Sequence, residues 1–168
     1  ICDAAMRRWM RAPNQPPAAS HAPSKLAFLQ QPSNAVAVVS ISPAITVQIQ
    51  DASGNPVTTD TRSVTLAIGT NPGGGTLSGT RTVAANSGVA TFSTLSIDKA
   101  GTGYTLVATS SPALTGMTST SFNITVGAAS KLAFLQQPTN TAAGSSISPA
   151  ITVQIQDAGG NRVSCDTR

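Results

Sequence analysis

Residues Ala44–Val57 read AITVQIQDASGNPV, and their alternation decides the fold. Ile45, Val47 and Ile49 fall on one face of an extended chain, and Thr46, Gln48 and Gln50 fall on the other. A period of two describes a strand with one buried and one wet face, the habit of an antiparallel sheet. Ser53-Gly54-Asn55-Pro56 comes next. Gly and Asn accept the positive φ of a tight turn, so the chain reverses there.

The same grammar extends in both directions. Downstream, Ser63–Gly69 places Val64, Leu66 and Ile68 inward before Asn71-Pro72-Gly73-Gly74-Gly75 breaks the strand. Thr80–Ala84 reads as a short strand, and Asn86-Ser87-Gly88 turns into GVATFSTLSI, residues 88–97. Ala90 and Phe92 point inward there, then Leu95 and Ile97, and the slip in spacing predicts a bulge. Beyond the turn Asp98-Lys99-Ala100-Gly101, Tyr104, Leu106 and Ala108 alternate, and Phe122, Ile124 and Val126 close the series. Upstream, Lys25–Gln31 turns Leu26 and Phe28 inward. Seven to eight strands with turn signals between them and no helical period predict an all-β, antiparallel β-sandwich.

SKLAFLQQP occurs at Ser24–Pro32 and again at Ser130–Pro138. Aligning residues 24–62 with 130–168 gives 30 identities in 39 positions, so the repeating unit is 106 residues long, Ser24–Ala129. A period of that length is a domain, since solenoid units run only about 20–50 residues. The chain therefore reads as an irregular tail (1–23), one complete sandwich (24–129) and the truncated start of a second (130–168), a fragment of a longer array. A lone pair of strands is marginal in water, so 130–168 is expected to pack poorly or to borrow an edge of the first sandwich. The apolar run Ala35–Val39 corresponds to Thr141-Ala142-Ala143-Gly144-Ser145. A segment free to change polarity in this way is expected to lie in a connection, outside the core, and to cover a sheet edge.

Composition excludes more than it assigns. The net charge is +4, yet charged residues make up only 10% of the chain and Glu is absent. Beyond the cluster Arg7, Arg8 and Arg11, the cations are scattered among aspartates, which gives no stripe for nucleic acid. No apolar run is long enough to span a membrane. Cys2 and Cys165 lie outside the complete unit, which can hold no internal disulfide. His21 is the lone histidine, so neither a zinc cluster nor an acid–base pair can be assembled around it. Trp9, with Met6 and Met10, belongs to the tail.

The phrases AITVQIQDASGNPV, SVTLAIG, GVATFSTLSI and AGTGYTLVATS, in that order and spacing, resemble bacterial Ig-like domains of the invasin/intimin-type group. The resemblance covers Ser24–Ala129 fully and Ser130–Arg168 in part. It implies an Ig-like sandwich in an extracellular or surface-displayed protein. The function it implies is that of a spacer or adhesion-stalk unit, presenting other domains and having no enzymatic turnover or cofactor. The implied partners are neighbouring Ig-like units and host or matrix glycans or proteins. The competing reading is a carbohydrate- or matrix-binding accessory module of a secreted enzyme, which exposed aromatics would favour. Phe28, Phe92, Tyr104, Phe122 and Phe134 all fall at inward positions.

The sequence offers one weak metal candidate. Asp51, Asn55 and Asp60 lie around a single turn and supply oxygens of the kind Ca²⁺ takes. The same residues serve equally as turn caps, the reading their spacing favours. Gly73–Gly75 lacks the lysine and the strand–loop–helix frame of a phosphate loop. Tyr104 is expected to turn its ring inward at a strand corner, with its hydroxyl on backbone.

Overall fold

A computed structural model describes residues 21–164, and these contain strands and turns and no helix. In chain order the strands are β1 (Lys25–Gln30), β2 (Ala35–Val36), β3 (Ile45–Gln50), β4 (Ser63–Ile68), β5 (Leu77–Ser78), β6 (Thr82–Ala84), β7 (Val89–Phe92), β8 (Ser96–Ile97), β9 (Gly101–Tyr104), β10 (Leu106–Ser111), β11 (Met117–Thr118), β12 (Phe122–Thr125), β13 (Lys131–Gln136) and β14 (Thr152–Gln156). They form sheets ordered β1-β3-β7, β11-β10-β4-β6, β2-β12-β9, β5-β8 and β13-β14. All pairings are antiparallel except β2 with β12. The structure is all-β, with the character of a sandwich. Four of its strands, β2, β5, β8 and β11, are two-residue ladders too short for a periodic pattern to reveal.

One apolar cluster holds the first 106-residue unit together. Ile45, Val47 and Ile49 of β3, with Ala90 and Phe92 of the neighbouring β7, share it with Val64 and Leu66 of β4 and Leu106 and Ala108 of β10. Each of these side chains is fully buried, and full burial of a branched or aromatic side chain contributes roughly 1.5–3 kcal/mol. The alternation around Ala44–Asp51 thus translates directly into the centre of the core.

Residues 88–97 do not form one bulged strand. β7 pairs with β3, the chain then steps across at Ser93-Thr94, and β8 pairs with β5 in another sheet. The slip between Phe92 and Leu95 marks this change of sheet, after which Leu95 and Ile97 re-enter the core. β9 and β10 divide the Tyr104 strand in the same way, β9 pairing with β12 and β10 with β4. Val126 lies past the end of β12 and is exposed. Phe28 is half-buried.

The segment after β1 also differs from its sequence reading. β2 pairs in parallel with β12 and covers that edge, but Ala37 and Ile41 are fully buried members of the core. Ala37 is the one residue of its run that the two copies share, as Ala143. Between them, Val38 holds φ of 60°, a left-handed conformation that is an outlier for a β-branched side chain. The corresponding residue of the second copy is Gly144, with φ of 81°.

β13 and β14 reproduce β1 and β3 pair for pair. Lys131↔Gln156, Leu132↔Ile155 and Phe134↔Val153 match Lys25↔Gln50, Leu26↔Ile49 and Phe28↔Val47, with the same register shift after the phenylalanine. The environment is opposite. Leu26, Val47 and Ile49 are buried, whereas Leu132, Phe134, Val153 and Ile155 are exposed. The second hairpin borrows no strand edge from the first unit, because β13 and β14 pair only with each other.

Candidate functional site

The calcium candidates do not converge. Asp51 accepts the backbone N–H of Asn55 at 2.8 Å on Oδ1 and the Asn55 amide at 3.0 Å on Oδ2. Those bonds from the Asn55 side chain and backbone hold its carboxyl below the usual range. Asp60 is gripped by Arg62, with Nη2 at 2.8 Å and Nε at 2.9 Å. The Arg62 hydrogen bond lowers its pKa. Arg62 also donates to the Pro112 carbonyl at 3.0 Å, tying this loop to the far end of β10. The two carboxylates therefore have separate occupations in the fold. Among the described residues no cluster of His, Cys, Asp or Glu side chains suited to a metal forms. Cys2, Cys165, Trp9 and the arginine cluster lie outside the described residues.

The polar constellation that does converge lies where the second hairpin meets the first unit. Its lower half is the corner Asp98-Lys99-Ala100 between β8 and β9. Asp98 Oδ1 accepts the Thr76 N–H at 2.6 Å, which pins the corner from one side. Tyr104, fully buried, donates its hydroxyl to the Lys99 carbonyl at 2.9 Å and pins it from beneath. Burial pushes the Tyr104 hydroxyl pKa up, so it stays a donor throughout the physiological range. The glycine loop makes room for this arrangement. A Cβ at Gly73 would collide with the Tyr104 hydroxyl and the Ala100 carbonyl, and one at Gly75 would crowd the same hydroxyl. Asn71 closes the loop by bonding both the N–H and the carbonyl of Gly75, at 2.8 and 2.9 Å. The ring of Tyr104 packs at 6.1 Å from that of Phe122, tilted by 34°.

The upper half is the turn Asp157-Ala158-Gly159-Gly160-Asn161 after β14. Asn161 Oδ1 accepts the Ala100 N–H at 2.9 Å, and its amide donates to the Asp98 carbonyl at 2.8 Å. Lys99 Nζ reaches the Gly159 carbonyl at 2.7 Å. Asp157, only 1% exposed, accepts the N–H of Gly127 from the connecting segment at 2.8 Å and holds Asn161 through its backbone and side chain. Burial pushes the Asp157 pKa up. The bonds from Asn161, Gly127 and Gly159 outweigh that and leave it below the usual carboxylate range. Every buried side-chain nitrogen and oxygen among the described residues has a partner.

The charged side chains of this arrangement, Asp98, Lys99 and Asp157, are all engaged in hydrogen bonds. The bonds between its halves clamp two pieces of chain against each other. Its members are drawn from residues some 60 positions apart, and none of them stands out by residue type. Apolar hollows do occur on the second hairpin. One is lined by Leu132, Ala133, Phe134 and Val153; Leu26, Phe28 and Val47, the counterparts of all but Ala133, belong to or pack against the core of the first unit. Phe134 is exposed, which corrects its inward assignment.

No protein-family model and no curated protein matches this sequence.

Proposed function

We propose that the chain is a piece of an extracellular bacterial protein in which Ig-like sandwiches of the Ser24–Ala129 kind serve as structural spacers. In this reading they form a stalk that presents other domains, and their partners are neighbouring units. The observation that carries the reading is the clamp. Four residues of one corner and linker, Asp98, Lys99, Ala100 and Gly127, hold a turn of the following copy through direct hydrogen bonds. A linker of only Val126-Gly127-Ala128-Ala129 suits the same purpose, since short connections restrict the freedom between neighbours. The aromatics of the first unit support it too. Phe92, Tyr104 and Phe122 are buried and Phe28 is half-buried, so none of these rings lies open on the surface as a platform for a sugar.

The test is a binding screen of the full chain against glycan arrays and matrix proteins. The spacer reading expects no saturable binding. Binding that disappears when exposed loop residues of 24–129 are substituted would replace it with the accessory-module reading.

A further inference from the structure

The two copies of the turn differ at one position that touches the clamp. The first copy reads Asp51-Ala52-Ser53-Gly54-Asn55 and the second Asp157-Ala158-Gly159-Gly160-Asn161. Their internal hydrogen bonds are the same. Asp51 N–H to Asn55 O and Asp157 N–H to Asn161 O are both 2.9 Å, and Gly54 N–H to Asp51 O and Gly160 N–H to Asp157 O are both 3.1 Å. Gly54 and Gly160 both take positive φ, at 91° and 80°. Gly159 does not have positive φ, so its backbone makes no demand for glycine. The turn itself folds equally well with Ser, as Ser53 demonstrates.

What requires glycine at 159 is the neighbour. A Cβ there would sit well inside the 3.0 Å that real Cβ atoms respect, against the carbonyl oxygen of Asp98. That oxygen is backbone, and it is fixed. The same carbonyl accepts the Asn161 amide, and its corner is pinned by Thr76 and Tyr104. It cannot swing aside as the end of a flexible side chain would. Ser53, by contrast, is exposed, and no corner faces it among the described residues.

We infer that residue 159, Gly in the second copy and Ser53 in the first, determines whether a unit locks onto the corner of the unit before it. A DAGGN turn locks, because its bare third position lets Asn161 reach Ala100 and Asp98. A DASGN turn carries the same Asp and Asn but holds them off the corner by the width of a side chain. The partner of the locking turn is thus an Asp98-Lys99-Ala100 corner on another copy of this unit. In a string of such units the identity of this one residue would mark each junction as stiff or hinged. The inference rests on the spacer reading for its meaning but not for its test. Ligand binding would remove the spacer reading and leave the junction result untouched.

The test uses the full chain carrying Gly159→Ser, followed by NMR. The amide of Ala100, whose N–H is held by Asn161, is expected to exchange about tenfold faster once that bond is lost. Amides of β13 and β14 are expected to stay paired while their tumbling uncouples from that of β3 and β4. Unchanged Ala100 protection and unchanged common tumbling would overturn the inference. So would unravelling of the β13–β14 hairpin, since that would place the need for glycine in the turn. The gain-of-function arm adds a further Ser24–Ala129 copy directly ahead of Ser24 in the full chain. The new junction, which faces Ser53, is expected to move freely, and Ser53→Gly is expected to lock it. Equal coupling with Ser and Gly would also overturn the inference.

Discussion

Tyr104→Phe removes a single oxygen from the base of the clamp, and the structure sets the size of the effect. The hydroxyl is fully buried and donates at 2.9 Å to the Lys99 carbonyl. Gly73 and Gly75 pack closely against it. Losing a buried hydrogen bond and leaving its acceptor unpaired costs about 1–3 kcal/mol. For a unit of this size each kcal/mol lowers Tm by about 4–8 °C. Urea and thermal unfolding of the full chain, followed by circular dichroism, measure this directly. A second readout separates the corner from the core. Lys99 and Ala100 contact the following copy, so Tyr104→Phe should speed amide exchange at Ala100 more than at Ile49 or Leu66. A Tm unchanged within error, or equal effects at all three amides, would refute the view that Tyr104 braces this corner.

Other outcomes follow from the same geometry. Val38→Gly should stabilise the protein by about 1 kcal/mol in urea unfolding, because a β-branched residue at positive φ carries roughly that strain and Val38 is 46% exposed with little burial to lose. Leu66→Ala should cost about 2–5 kcal/mol in the same assay, by leaving a cavity at the centre of the cluster. Asp51, Asp60 and Asp157 all have depressed pKa values in the folded chain. Their contribution to stability is therefore complete above the unfolded carboxylate value of about 4 and is lost as pH falls through the lower folded values. Tm should be flat between about pH 5 and about pH 9 and fall below about pH 4. Because Asp157 holds Gly127, junction protection should fall in the same range.

Much of the fold could be read from alternation. Ile45, Val47, Ile49, Val64, Leu66, Leu106 and Ala108 declare a buried face by period alone, and all are buried. Where the chain changes sheet the period carries less. The steps between Phe92 and Leu95 and between Tyr104 and Leu106 are set by which strand is available to pair, information that local sequence does not hold. Ala37 is not legible by period because its neighbours vary in polarity, while its burial follows from the bond of its N–H to Thr125 at the end of β12. The clamp was hidden for a different reason. Asp, Asn, Lys and Gly in turns are ordinary turn residues, and only the distant pairing of Lys99 with Gly159 and of Ala100 with Asn161 gives them a joint task. The substitution of Gly159 for Ser53 was visible in the aligned copies, but its meaning depends on where the Asp98 carbonyl lies.

A clamped junction requires the two copies to move as one body. Backbone ¹⁵N relaxation of the full chain measures this, by comparing the rotational correlation time of amides in β3, β4 and β10 with that of amides in β13 and β14. A clamped junction predicts a single correlation time for both sets. A distinctly shorter time for β13 and β14, with their strand pairing intact, would contradict it.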